Sequence, residues 1–197
     1  MLNLAWRMVR STEPRLLWKF AYNFGWKGMR SVQLFKKRLK QGVVFPPFLY
    51  LSITSRCNLR CQGCWVDVRQ PENELSFEEM DRLVSSAKAR GNAFFGILGG
   101  EPFMHPDLMR LLAKHPDCYF QIFTNGHYIT DEVAEELRRI GNATPLISVE
   151  GTEEVSDARR GGTAVLSKTM RGLETCLRHK LITGVAASVC QTDRKSV

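Results

Sequence analysis

The sequence predicts an α/β protein: a partial (β/α) barrel of parallel strands, incomplete at about five, preceded by a basic helical extension. Three observations predict it. After Pro47, short apolar runs alternate with amphipathic segments, the pattern of βαβ units and a parallel sheet. Each of the first four runs leads into a polar, cysteine-bearing or glycine-rich turn, and in a parallel barrel all such turns gather on one rim. Finally, the positive charge sits at one end. Residues 1–42 hold ten Lys or Arg against the single acid Glu13, whereas the remaining 18 bases and 19 acids nearly cancel.

The charge break at Gly42 and the Pro46-Pro47 pair divide the chain into an extension (1–42), a core (48–190) and a tail (191–197). In the extension, Leu16, Leu17, Phe20, Ala21 and Phe24 recur at helical spacing, and Pro14 suits a first helical turn. Gly25 and Gly28 are expected to interrupt that helix, with a second basic helix over about 31–40. The core strands are expected at 48–54, 93–98, 118–124, 146–149 and 182–189, all short, apolar and partly β-branched. Helices are expected at 76–90, 107–114, 131–140 and roughly 164–179. Ser76 and Glu79 form a capping-box pattern at the start of the first, and Gly91 and Gly141 supply stops. Right-handed crossovers curl such a sheet toward a barrel or a doubly wound sheet.

The composition, 44% hydrophobic and 24% charged, is that of an ordinary globular domain. No apolar run approaches the roughly 20 residues of a membrane span, and the N-terminus, with Arg7 and Arg10, lacks the apolar stretch of a signal peptide. Six cysteines are too sparse for a disulfide scaffold; three of them within 57–64 point to metal. The expected compartment is therefore reducing, hence cytoplasmic.

The strongest motif is Cys57-Asn-Leu-Arg-Cys61-Gln-Gly-Cys64, directly after the first strand. Three thiolates on one loop can each bind a different iron of a cubane cluster. A zinc site or a ferredoxin cluster wants a fourth protein ligand nearby, but Cys118, Cys176 and Cys190 lie far along the chain. One iron is then open to a small molecule; the alternatives are three chance cysteines or a zinc loop completed by a distant histidine. Gly99-Gly100-Glu101-Pro102, Thr124-Asn125-Gly126 and Ser148-Val149-Glu150-Gly151 follow or close the next three strands. Each alone is ordinary turn chemistry; in register they make a ligand rim, where glycine lets a ligand approach the backbone. His105, His127 and Tyr128 lie near the rim. A lone loop histidine is more often solvated than catalytic, and no general base is assigned.

These motifs resemble the radical S-adenosylmethionine (radical SAM) superfamily over about 48–190. The resemblance implies a [4Fe–4S] cluster on Cys57, Cys61 and Cys64, with S-adenosylmethionine chelating the open iron. It further implies that Gly99, Gly100, Glu101 and Pro102 receive the methionine amino group. By the same resemblance Ser148 and Glu150 lie near the carboxylate and ribose, with Thr124 and Asn125 in the same pocket. The stretch from Ser148 through Asp157 to Arg160-Gly161 is similar to the SPASM-type, peptide-modifying branch, in which Arg160 would pair with the cofactor carboxylate. A guanidinium fork suits that role; the other reading of Arg159 and Arg160 is a solvated charge pair on a loop. Two positions depart from the family pattern: Gly63 stands where an aromatic is usual, with Trp65 just after, and Glu150 where aspartate is commoner. The family barrel has six βα units, so the chain reads as C-terminally truncated, the other reading being a partner that covers the open edge of the fifth strand.

The implied activity is reductive cleavage of S-adenosylmethionine to a 5′-deoxyadenosyl radical. It uses an external electron donor and takes hydrogen from a substrate that the sequence does not name, a peptide or protein in that branch. The alternatives are a non-catalytic iron–sulfur binding fragment and a zinc-binding protein. In the extension, Trp6, Trp18, Phe20, Tyr22, Phe24 and Trp26 sit among the cations. Docking onto the protein itself ranks first, contact with an anionic membrane surface second, and nucleic acid last, since no recognised motif accompanies the charge.

Overall fold

A computed structural model describes residues 10–68 and 70–187. Its centre is one sheet of five parallel strands in sequential order, β1 (Leu49–Ser52), β2 (Phe94–Leu98), β3 (Tyr119–Thr124), β4 (Ala143–Val149) and β5 (Gly184–Ala187). The connections carry α3 (Phe77–Ala89), α4 (Leu108–Lys114), α5 (Asp131–Ile140), then α6 (Glu153–Arg160) with α7 (Val165–Arg178). This is the expected α/β fold with five parallel strands, consistent with a partial barrel. Period-two alternation sends Phe95, Ile97, Phe120, Ile122 and Ile147 to a fully buried face. They form one core with Met80, Val84, Leu111, Leu112, Ala134, Leu137 and Cys176 of the helices.

Local signals account for the boundaries of α3 and α5. Ser76 caps α3 through a complete capping box with Glu79, satisfying amide donors that the first turn leaves unpaired. Thr130 accepts from the Val133 amide to cap α5, and Gly141, at φ 74°, ends that helix in the left-handed conformation. The strand β4 begins three residues earlier than expected and contains Pro145. Pairing with β5 starts only at Leu146, so Pro145 occupies an edge-like position where a missing donor is tolerated.

Two expectations need correction. The extension is not broken at Gly25 or Gly28. It runs as α1 (Pro14–Lys19), a π-helical segment (Phe20–Trp26) and α2 (Lys27–Leu39) without a gap. Glycine weakens a helix only modestly, and packing overrides it: Leu16, Asn23 and Ser31 are buried against the body. The second correction is α6, a helix over a stretch for which the sequence pattern predicts none.

The extension closes the N-terminal end of the sheet. Phe20 meets Tyr119 edge-on at 5.3 Å and Phe24 meets Phe94 at 5.0 Å, so aromatic rings plug that end. The cations of the same face bind carbonyls that the body leaves open. Arg15 donates to the carbonyls of Arg138 and Arg139, and Lys19 to Ile140 at 2.7 Å, all at the end of α5. Lys27 donates to the Asp117 carbonyl at 2.8 Å and Arg38 to that of Arg90 at 2.6 Å. Helix C-termini carry unpaired carbonyls and partial negative charge, which is what Arg15, Lys19 and Arg38 answer; the Asp117 carbonyl lies in the turn before β3.

Candidate active site at the strand ends

The cysteine loop leaves the end of β1 and returns beside it. Its base is closed by the pairing of Thr54 with Glu74. The Ser55 amide donates to the Asn73 carbonyl at 2.9 Å and the Leu75 amide to the Ile53 carbonyl at 3.0 Å. Thr54 Oγ1 also donates to the Glu74 carboxylate at 2.7 Å. The middle of the loop is held by α6. The Arg60 and Gln62 amides donate to the Arg160 and Arg159 carbonyls at 3.0 and 2.6 Å, and Gln62 Nε2 donates to Ala158 at 3.2 Å. The last carbonyls of α6, which no helical amide can reach, are thus satisfied by the cysteine loop. Gly161 ends α6 at φ 63°, and a Cβ there would lie 2.9 Å from the Arg60 carbonyl oxygen.

A third fixing point lies inside the motif. Asn58 Oδ1 accepts from Asn125 Nδ2 at 2.8 Å, and Asn58 Nδ2 faces His127 Nδ1 at 3.0 Å. His127 Nε2 lies 3.2 Å from the Val165 carbonyl, so Nε2 carries the proton and Nδ1 accepts. His105 is buried, with Nε2 2.8 Å from the Leu75 carbonyl and Nδ1 accepting from the Asp107 amide. Both histidines are therefore structural, contrary to the expectation of solvated loop side chains.

The Gly99-Gly100-Glu101-Pro102 turn packs backbone to backbone against the chain entering the cysteine loop. The Gly100 amide donates to the Thr54 carbonyl and the Glu101 amide to that of Arg56, both at 2.7 Å. A Cβ on Gly100 would stand 2.1 Å from the Arg56 carbonyl oxygen, which explains the residue without invoking a ligand. Glu101 is buried, and its carboxylate turns inward. It accepts from the Phe103 amide (3.1 Å), Thr124 Oγ1 (2.8 Å) and the Asn125 amide (2.8 Å), tying the second strand end to the third.

These elements surround a cleft of about 770 Å³. Cys57, Cys61, Cys64, Gly99, Gly100, Thr124, Asn125, Ser148, Glu150 and Arg160 all line it; Glu101 and Pro102 stand behind it. Trp65 and Arg159 line it as well. Arg159 and Arg160 each approach the Glu150 carboxylate at 3.4 Å, so they are not a solvated loop pair. Arg160 is only 5% exposed, and its Nε has no hydrogen-bond partner among the described residues. The three motif cysteines are free thiols. Burial pushes Cys57 up to about 11, partly opposed by the Leu59 amide, and pushes Cys61 up against the pull of Arg160. Such thiols ionise readily only beside a bound cation. Free thiols around one cleft and a buried guanidinium nitrogen lacking a partner fit a metal–sulfur cofactor with an anionic neighbour. Among the described residues, no three His, Cys, Asp or Glu side chains group as one metal ion would require.

Fold and site together define a partial-barrel core with a thiol-lined cleft at its strand ends. The chain belongs to the radical SAM superfamily, whose family model matches residues 51–190. Enzymes of this family use a [4Fe–4S] cluster and S-adenosylmethionine. The chain is 31% identical over 155 residues to the Fe-coproporphyrin III synthase of Methanosarcina barkeri, covering 77% of this chain and 39% of that protein. It is 34% identical to a GTP 3′,8-cyclase of Synechococcus, covering 64% and 41%. Among solved structures, it resembles Streptococcus suis SuiB bound to precursor peptide SuiA with a TM-score of 0.68 at 20% identity, covering 85% of this chain and 39% of SuiB. It also resembles anSMEcpe with bound AdoMet and Kp18Cys peptide, with a TM-score of 0.59 at 25% identity, covering 71% and 43%. The chain spans about two fifths of the length of these relatives.

Proposed function

We propose that this chain is the core of a radical SAM enzyme of the peptide-modifying, SPASM-type branch. Its site would hold a [4Fe–4S] cluster on Cys57, Cys61 and Cys64 and bind S-adenosylmethionine in the adjoining cleft. The observation that carries this reading is that three free thiols and the Gly99-Gly100 turn line one cleft at the strand ends. Held by Cys57, Cys61 and Cys64, such a cluster would supply one electron for reductive cleavage of the sulfonium C–S bond to methionine and a 5′-deoxyadenosyl radical, which would take a hydrogen atom from the substrate.

The protein's own work is positioning and exclusion of water. Gly99 and Gly100 expose backbone to the methionine amino group. Arg160, whose Nε lacks a partner among the described residues, would answer the carboxylate, while Glu150, held by Arg159 and Arg160, would lie near the ribose with Ser148. Thr124 and Asn125, fixed from behind by Glu101, form the far wall. The electron comes from an external donor, and a reducing, cytoplasmic compartment suits the free thiols. The substrate class we assign is a peptide or protein, supported by the resemblance to anSMEcpe with its bound peptide. Family membership favours this over a zinc loop or an inert iron–sulfur fragment.

The test is anaerobic reconstitution with iron and sulfide, then dithionite and S-adenosylmethionine. Formation of 5′-deoxyadenosine well above a Cys61→Ala control is expected. None from a folded, cluster-loaded sample would sink the catalytic reading.

A further inference from the structure

Among the described residues the docked extension leaves its opposite face unpartnered, and that face has its own composition. Trp18, Tyr22, Trp26 and Met29 follow one another along it, with Trp18 69%, Trp26 62% and Met29 61% exposed. Trp18 and Tyr22 stack at 6.0 Å, and Lys27 Nζ sits 5.1 Å over the Tyr22 ring. Arg30, Lys36, Lys37 and Lys40 continue the exposed face. Arg15, Lys19, Lys27 and Arg38 are occupied by carbonyls of the body. By contrast, the side chains of Arg30, Lys36, Lys37 and Lys40 make no ion pair or hydrogen bond among the described residues.

We propose that this face is a docking surface for a bilayer containing anionic phospholipid. Indole and phenol rings settle at the headgroup level, where one end of the ring is apolar and the other wet. Unpaired cations beside them are attracted by the negative lipid surface. An apolar row this exposed is unusual unless something covers it, and the adjoining charge is of one sign. The surface is a helix face rather than a cavity, which suits a planar partner. No helix among the described residues is long and apolar enough to cross a membrane, so the contact lies in the interface plane. The extension covers the N-terminal end of the sheet, whereas the cleft opens at the other end. A docked molecule therefore holds its site away from the lipid.

The test uses the full chain, co-sedimented with vesicles of phosphatidylcholine alone or mixed with phosphatidylglycerol. Binding to the anionic vesicles should exceed that to the neutral ones by about tenfold or more, and should fall sharply in high salt. A Trp18→Ser/Trp26→Ser pair and a Lys36→Glu/Lys37→Glu/Lys40→Glu triple should each lower it by about tenfold. These side chains are exposed, and circular dichroism with a thermal melt verifies that both variants fold. Absence of vesicle binding by the folded chain, or binding unchanged in either variant, overturns the proposal. So does tighter binding of single-stranded DNA than of anionic vesicles at equal salt, since bases also stack on aromatics beside cations.

Discussion

Gly100 makes the most restrictive contact of the rim. Adding a methyl group there drives it into the Arg56 carbonyl, and only a backbone shift relieves the clash. Gly100→Ala should lower unfolding stability by about 1–3 kcal/mol in a urea titration and loosen the cysteine loop. Gly63, inside the motif, has open space around it but a φ of 72°; its alanine variant should cost less, about 1–2 kcal/mol, from backbone strain alone. Equal losses at the two positions would contradict the steric account. Glu101 presents two acceptor oxygens to three donors. Burial pushes its carboxyl up, while the Asn125 and Phe103 amides and Thr124 pull it down. An amide at that position turns a donor toward a donor, so Glu101→Gln should destabilise by about 1–3 kcal/mol. The rim residues were legible because each belongs to a short motif. The inward turn of Glu101 was not, since a motif records spacing and not which way a side chain faces.

At the scale of elements, the capping box of α3 and the glycine stop of α5 were readable because their signals are local. The α6 helix was missed because Glu-Glu-Val-Ser-Asp-Ala-Arg-Arg carries almost no apolar period. The usable signal was charge order: Glu153 and Glu154 in the first turn, Arg159 and Arg160 in the last, then glycine. In the extension the error ran the other way, with two glycines given more weight than the packed face beneath them. Nothing lies within 4 Å of a Cβ built on Gly28. In a continuous helix Gly28→Ala should therefore stabilise by about 0.5–1 kcal/mol, seen as a rise of about 2 °C in Tm; a drop would restore the break. Docking of the extension also carries a pH signature. Hydrogen bonds from Arg138 and Arg15 hold the Glu13 carboxyl below the ordinary glutamate range. Its contribution is full above that range and lost as pH falls through the depressed value. Hydrogen exchange in α1 should differ between the protein and its Glu13→Gln variant at neutral pH, and that difference should vanish in acid.

The whole molecule is polarised along the barrel axis, with an aromatic plug and a basic helix at one end and a thiol-lined cleft at the other. That division was legible from the charge break and from the turns in register with the strands, since topology alone brings βα loops together. The bonds that unite the cleft were not. The α6 carbonyls on Arg60 and Gln62, and Asn58 reaching Asn125, join residues far apart in sequence. The central claim is that three cysteines hold a cluster with one iron open to the sulfonium cofactor. Electron paramagnetic resonance of the anaerobically reconstituted, dithionite-reduced chain tests it most directly, recorded with and without S-adenosylmethionine alongside iron analysis. About four irons per chain and a reduced-cluster signal that shifts on adding the cofactor are predicted. A single metal ion per chain, or a cluster signal that the cofactor leaves unmoved, would contradict it.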